Sequence, residues 1–144
     1  MRLASFTDYS LRVLIYLGLK KDELSTVLEI SQKYNISRNH LVKVTHNLSL
    51  LGLIHSYKGK GGGIELAKEA KEINIGKIIR ILESESALVE CFSESGQCAI
   101  NPSCKLKNEL KKAQNQFYLS LENITLEDLL APRNQLKKNL SLDH

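Results

Sequence analysis

Residues 37–52 read SRNHLVKVTHNLSLLG and decide the fold. Their apolar side chains recur at steps of three, four and three, the spacing of one buried face of a helix. These side chains are Leu41, Val44, Leu48 and Leu51. Ser37 is a favourable N-cap, and Gly52 stands where a left-handed residue after the helix is favoured. The stretch therefore predicts an amphipathic helix that packs one side against a core.

The opposite face of this helix is polar and contains no acid. It carries Arg38, Asn39, His40, Lys43, His46 and Asn47. Such side chains can donate hydrogen bonds to base edges and to phosphates, which favours a DNA-binding face. The alternative is an ordinary polar helix surface that contacts nothing.

A shorter helix is predicted just before this one. Thr26 and Glu29 have the spacing of a capping box, and Asn35-Ile36 ends the apolar pattern that follows. Two helices joined by a tight polar turn predict a helix-turn-helix motif. In such motifs the second helix enters the major groove of DNA.

Residues 53–66 predict a β-hairpin. Two β-prone segments, LIHSYK and IEL, flank the glycine-rich stretch GKGGG at residues 59–63. The stretch lacks the Lys-Ser or Lys-Thr ending of a phosphate-binding Walker loop. As the wing of a winged helix, it would bring Lys58 and Lys60 beside the DNA backbone, with close approach at Gly61 and Gly62. The alternative is a simple glycine turn.

Further helices are predicted on either side of this unit. Ser5 and Asp8 have the form of a capping box that opens a first helix. Asn74 opens a fourth helix with a continuous apolar stripe. The longest helical pattern follows residues 102–103 and covers about five turns. Its apolar face predicts a second subunit as its partner. Thr125 caps a last short helix.

Composition and charge narrow the class of protein. With 42% hydrophobic and 25% charged residues, the chain is an ordinary globular one. No apolar run is long enough for a membrane span, and the first residues lack the features of a signal peptide, so we expect a cytoplasmic protein. Residues 1–60 carry nine Lys and Arg against four acids. This surplus fits a nucleic-acid partner, although solvated surfaces often show the same.

All three cysteines lie in the polar stretch 91–104, CFSESGQCAINPSC. An odd number cannot pair off completely, and in a reducing compartment clustered cysteines bind metal or sense redox state more often than they form bridges. The spacing C-x6-C-x5-C lacks the close ligand pairs of most zinc sites and supplies only three ligands. Unrelated free thiols, a redox-sensing disulfide, and a metal or cluster site all remain open. No catalytic set of residues is assembled near the cysteines, so we do not expect an enzyme.

Four segments together resemble the iron-sulfur winged-helix transcriptional repressors, and most closely the nitric-oxide-sensing members of that family. They are SFTDYSLRVLIYL from Ser5, ISRNHLVKVTHNLSLLGLI from Ile36, YKGKGGGIELAK from Tyr57, and the cysteine loop before an amphipathic helix. The resemblance covers the chain to about Ala131. It implies a homodimer that binds inverted-repeat operator DNA until nitric oxide attacks its cluster.

The resemblance also implies a ligand set. Cys91, Cys98 and Cys104 would bind an iron-sulfur cluster, with 4Fe-4S favoured over 2Fe-2S, and Asp8 of the opposite subunit would be the fourth ligand. Regulators of cluster assembly in the same family use a His three residues after the last Cys, where this chain has Lys107. The first cysteine interval is longer than the family pattern. The alternatives are a regulator of cluster assembly and a winged-helix module that senses zinc or thiols.

The predicted organisation is mainly α-helical, a winged helix-turn-helix with a small two-stranded wing and a long C-terminal dimerisation helix. Residues 1–83 would form the DNA-binding domain and residues 84–104 the cluster-binding loop. The dimerisation helix and a short terminal helix would occupy residues 105–131. Residues 132–144 are polar and are expected to be disordered.

Overall fold

The computed structural model describes residues 2–84, 88–89, 92 and 96–142. Within these ranges the chain forms helices and one two-stranded antiparallel sheet. In order the elements are α1 Ser5–Leu19, α2 Val27–Tyr34, α3 Arg38–Leu50, β1 Ile54–Tyr57, β2 Gly63–Leu66, α4 Ile75–Leu82, α5 Lys105–Leu121, α6 Leu126–Leu129 and α7 Arg133–Asn139. Short 3-10 turns lie at Ala70–Glu72 and Asn101–Ser103. None of the described helices is both long and apolar enough to cross a membrane.

The helix-turn-helix forms through local capping, as the sequence predicted. The capping box at Thr26 is confirmed, because its hydroxyl accepts from the Glu29 amide and the Glu29 carboxylate accepts from the Thr26 amide. Asn35 ends α2 in the left-handed conformation, with φ 55°. The Ser37 hydroxyl caps α3, and Gly52 follows that helix with φ 75°. These contacts fix the angle at which α3 leaves the turn.

The buried face of α3 packs against α1 and α2. Leu41, Val44 and Leu48 are fully buried, together with Leu14 and Tyr16 of α1. Close packing of these side chains excludes water from the three-helix core, which is the main source of its stability. The predicted apolar face of α3 is therefore the core face.

An ionised network ties α1 to α2. The Glu29 carboxylate accepts hydrogen bonds from the Tyr16 hydroxyl at 2.9 Å and from Lys20 Nζ at 3.1 Å. Burial opposes the ionised carboxylate, but these donors and the Thr26 amide together lower the pKa of Glu29 below its ordinary value. The same carboxylate therefore caps α2 and holds it against α1.

The predicted capping box at the start of α1 is wrong. Ala4 is the N-cap and makes no side-chain cap, and Ser5 is already inside the helix. The Asp8 carboxylate instead forms a two-point pair with the Arg12 guanidinium, with both N–O distances at 3.0 Å. Because the helix begins one residue earlier than the capping box requires, Ser5 is not its N-cap, and the Asp8 carboxylate pairs one turn further along the helix.

The predicted hairpin is present. Ile54 pairs with Leu66 at its base and Tyr57 with Gly63 near its tip. Ser25 extends the sheet by exchanging two backbone hydrogen bonds with Ile64, at 2.9 and 2.7 Å. The hairpin is thus anchored to the segment just before α2, so the wing and the helix-turn-helix form one unit.

The fourth helix packs on the C-terminal half of α5. Asn74 caps α4 through its side chain, which also donates to the Glu122 carbonyl at 2.7 Å. Ile78 and Ile79 are buried on this side, and Tyr118 is the buried residue of α5. The cap predicted at Thr125 is confirmed at the start of α6, where Thr125 and Asp128 form a capping box.

The long amphipathic helix is half covered in this chain. Phe117 and Leu121 pack against the core, whereas Leu106 near the start of α5 is 63% exposed. The helix ends at Leu121, and Ile124 packs against the core just beyond it. The first turn of α5 therefore exposes one large apolar side chain.

Residues 133–139 form a helix, where the sequence analysis expected a disordered tail. Leu136, Leu140 and Leu142 pack against the core cluster. Arg133 donates to the Gly18 carbonyl at 3.0 Å, and Lys33 donates to the Ser141 carbonyl at 3.0 Å. The polar composition of this segment predicted disorder, but three leucines within it pack against the core.

Candidate nucleic-acid interface and cluster site

The outward face of α3 is available to a ligand. Arg38, Asn39, Lys43 and His46 are exposed, while His40 and Asn47 are half-buried. Arg38 and Asn39 lie at the capped N-terminus of α3, so the positive end of the helix dipole adds to the charge of Arg38. No acidic residue occurs in the helix. This surface attracts polyanions and can donate to base edges.

His40 has a second contact that the sequence analysis missed. Its ring packs edge-on against Tyr9 of α1, with the ring centroids 4.7 Å apart. This packing explains why His40 is only partly exposed. The contact joins the first turn of α3 to the first half of α1, and nothing in the local sequence pattern around residue 40 signals it.

The wing tip is basic and open. Lys58, Lys60 and Gly61 are exposed, whereas Gly62 is half-buried. Gly61 adopts φ 78°, a conformation that favours glycine. A Cβ at Gly62 would overlap the Tyr57 carbonyl, so this glycine is needed for the turn itself. The backbone of Gly61 is the part of the tip that a DNA strand can approach.

One face of the wing also carries an acid. The Tyr57 hydroxyl donates to the Glu65 carboxylate at 3.0 Å, and this hydrogen bond raises the pKa of Tyr57. His55 lies on the same side of the strand, with its ring centroid 6.3 Å from that of Tyr57. These residues were not among the predicted site residues, although alternation along β1 and β2 places their side chains on one face of the hairpin.

The structure describes two of the three cysteines. Cys98 is exposed and Cys104 is half-buried, and both are free thiols. Cys91 lies outside the described residues. Cys104 stands at the N-cap position of α5, and the Lys107 ammonium reaches back to Asn101 at 2.7 Å. Position 107, where cluster-assembly regulators would have a ligand, is therefore occupied by a cation that braces the loop against α5.

The described part of one chain does not bring three metal-ligating side chains together. The Asp8 carboxylate is 46% exposed and pairs with Arg12, whose guanidinium lies 5.6 Å from the Tyr9 ring centroid and 5.8 Å from that of Tyr34. This pairing raises the pKa of Arg12. Free thiols are the donors that iron-sulfur clusters take, so the chemistry of Cys98 and Cys104 fits such a group. The Asp8 carboxylate is engaged by Arg12 in the single chain.

The chain was compared with known proteins. Residues 3–132 match the family model Rrf2, described as an iron-dependent transcriptional regulator. The transcriptional regulator NsrR of Halalkalibacterium halodurans is 49% identical over 144 residues, which cover 99% of each chain. The protein of the same name from Bacillus subtilis is 40% identical over 144 residues, again 99% of each chain.

Solved structures show the same fold. The oxidised form of Staphylococcus aureus CymR superimposes with a TM-score of 0.71 at 27% identity, covering 91% of this chain and 97% of that one. The IscR of T. potens superimposes with a TM-score of 0.70 at 23% identity, covering 90% and 86% of the two chains. The winged helix-turn-helix is thus shared with known regulators, and the chain belongs to the Rrf2 family of transcriptional regulators.

Proposed function

We propose that this transcriptional regulator is a cytoplasmic, nitric-oxide-responsive repressor that binds inverted-repeat operator DNA as a homodimer while it holds an iron-sulfur cluster. In this proposal residues 1–83 read DNA, residues 84–104 hold the cluster and residues 105–131 join the subunits. Cys91, Cys98, Cys104 and Asp8 of the opposite subunit are the ligands, and a 4Fe-4S cluster is favoured. The chain is not proposed to catalyse a reaction.

The observation that carries the DNA-binding part is the acid-free outward face of α3. Its exposed basic side chains adjoin a wing whose tip carries two exposed lysines. A recognition helix reads bases while a basic wing contacts phosphates, so the two surfaces have complementary tasks. The proposed contacts are Arg38, Asn39, His40, Lys43, His46 and Asn47 of α3, and Lys58, Lys60, Gly61 and Gly62 of the wing.

The dimer is supported by the exposed start of α5. Leu106 is 63% exposed, and Ile100 in the preceding turn is also 63% exposed. In the proposed dimer a second copy of the helix covers both of these apolar side chains. A symmetric partner would also bring the first helix of one subunit towards the thiol loop of the other.

The switch is supported by the two possible partners of Asp8. Its carboxylate pairs with Arg12 in the single chain. In the proposed dimer the same carboxylate would leave Arg12 to become a ligand for the partner subunit. The cluster, when bound, supplies iron that nitric oxide can attack. Losing that ligand site returns Asp8 to Arg12 of its own helix, so the two states differ in whether the first turn of α1 is linked to the other subunit.

Anaerobic purification tests this function. We expect a coloured protein that contains iron and sulfide, binds an inverted-repeat promoter fragment as a dimer, and releases it during a nitric-oxide titration followed by electronic absorption. A colourless protein that contains zinc, with neither iron nor sulfide after reconstitution, would instead favour the zinc- or thiol-sensing module. Release by thiol oxidants but not by nitric oxide would also contradict the proposal.

The salt dependence of DNA binding separates the two proposed surfaces. Lys60→Ala should remove one phosphate contact and reduce the slope of log affinity against log salt by about 1. Lys43→Ala should weaken binding to the operator by about 1–3 kcal/mol if it reads a base, with a smaller change for unrelated DNA. The measurement is fluorescence anisotropy at several salt concentrations, with operator and scrambled duplexes.

Lys138→Ala is the matched control, because Lys138 is an exposed lysine on α7, outside the surfaces proposed for DNA and for the partner subunit. Its salt slope should equal that of the unmodified protein. An unchanged slope in Lys60→Ala together with unchanged operator preference in Lys43→Ala would exclude this docking arrangement.

A further inference from the structure

Glu83 is a buried carboxylate that the proposed function leaves unused. Only 6% of its surface is exposed, and it stands at the C-terminal cap of α4. A negative charge is unfavourable there, because the end of a helix already carries a partial negative charge. Burial adds a desolvation cost. A carboxylate in this position therefore needs a compensating partner from another element.

The partner is the start of α1. The Ala4 amide donates to Glu83 Oε1 at 2.8 Å across 79 residues of sequence. Ala4 is the N-cap of α1 and has no side-chain cap of its own. The positive end of a 15-residue helix thus faces the carboxylate. Glu83 supplies from α4 the cap that the local sequence of α1 lacks.

Two further observations place Glu83 where parts of α1, α4 and α5 meet. It lines an open surface cleft with Asp8 and with Arg2. Burial of Tyr118 on α5 raises the pKa of its hydroxyl. The negative charge of Glu83 raises this pKa further, against the opposing effect of Arg80. The carboxylate therefore lies among the start of α1, the end of α4 and the buried part of α5.

This junction adjoins both sets of proposed ligands. Asp8 is in the first turn of α1, and its amide donates to the Ala4 carbonyl at 3.1 Å. Glu83 is also the last residue before the stretch 84–104 that carries the cysteines. A single hydrogen bond thus holds the helix start that carries Asp8 against the residue that precedes the cysteine-containing stretch in the sequence.

We propose that Glu83 is a positioning residue, which fixes the first turn of α1 to the end of α4 and so sets where Asp8 stands relative to a cluster. The hydrogen bond to Ala4 is independent of the proposed function, whereas its effect on a cluster rests on it. The task requires an acceptor oxygen at the reach of a glutamate side chain. It does not require the negative charge.

Three variants separate reach from charge. Glu83→Gln keeps an acceptor at the same reach, Glu83→Asp keeps the charge but withdraws it by one methylene, and Glu83→Ala removes both. Amide exchange of Ala4, followed by NMR in protein without a cluster, should quicken about tenfold or more in the Asp and Ala variants. In Glu83→Gln it should stay within about threefold of the unmodified protein. Glu127→Ala, on an exposed side chain of α6, should leave it unchanged.

The second measurement is the rate at which reconstituted protein loses its cluster to a chelator under anaerobic conditions. The Asp and Ala variants should lose it several-fold faster, and the Gln variant at nearly the original rate. Unaltered Ala4 exchange in Glu83→Asp would overturn the proposal, as would faster exchange with unaltered cluster loss. If Glu83→Ala does not fold, the Gln and Asp pair decides alone. If the unmodified protein binds no cluster, the proposed function fails while the Ala4 result still tests the contact.

Discussion

Gly76→Ala should destabilise the fold by about 3 kcal/mol, the upper part of the range for inserting a methyl group into a packed interface. Gly76 lies in α4, and a Cβ there would overlap the backbone of Leu121 and Glu122 where α5 ends. That backbone cannot retreat freely, because the Glu122 carbonyl is held by Asn74 and the Ile124 carbonyl by the Ile75 amide at 2.9 Å. Equilibrium unfolding by urea, with and without the substitution, gives the free energy.

The sign of this effect is informative. In an exposed helix the same substitution stabilises by about 1 kcal/mol, because alanine restricts the unfolded chain. Gly18→Ala is the matched control. A Cβ at Gly18 would meet only the flexible side chain of Leu130, which can change rotamer, so we expect a clearly smaller loss. A stabilised Gly76→Ala protein would show that α4 does not pack on the end of α5 as described.

Elements stabilised by their own sequence were the predictable part of the fold. The capping boxes at Thr26 and Thr125 and the left-handed Asn35 and Gly52 depend on residues no more than a few positions apart. The apolar period then identified which side of α3 is buried. Short-range hydrogen bonds and helical periodicity are present in the sequence itself, so these features needed no knowledge of the tertiary fold.

Features that depend on distant partners were not predictable. The start of α1 looked like a capping box, yet the amide of Ala4 is held by Glu83 from the far end of α4. In the same way, α7 is fastened by contacts to Gly18 and Lys33 that its polar composition does not indicate. Sequence periodicity shows that a face is apolar or charged, but not which element will meet it.

In the candidate site, too, the features that depend on local sequence were predictable and those that depend on a distant partner were not. The exposed basic face of α3 follows directly from the period of its buried side, so its composition was predictable. The proposed cluster ligands are different, because a site shared between two subunits, as proposed, would have no signature in one chain beyond its clustered thiols. The sequence could therefore identify Cys91, Cys98 and Cys104 as candidates, while the choice between Arg12 and a ligand role for Asp8 depends on the partner.

Cys98→Ala should abolish both the cluster and the response to nitric oxide. Cys98 is an exposed free thiol, and a cluster has few other thiolates to choose from in this chain. Without the cluster, operator affinity should fall towards the non-specific level, which for DNA-binding proteins is about 10³-fold or more weaker. Gln97→Ala, at the exposed neighbouring position, is the control and should retain the cluster. Iron and sulfide analysis and a nitric-oxide titration of operator binding measure both effects.

Asp8→Ala gives a graded version of the same result, because the residue is proposed as a ligand and does not cap its helix. Since Ala4 is the N-cap, helix content measured by circular dichroism should be almost unchanged. The cluster should form on the three thiolates but should be lost faster. A variant at Cys98 that still responds to nitric oxide would refute the switch. Unchanged cluster stability in Asp8→Ala would show that Asp8 is not the fourth ligand and that its carboxylate serves only to pair with Arg12. The proposal that the three thiolates hold the cluster would still stand.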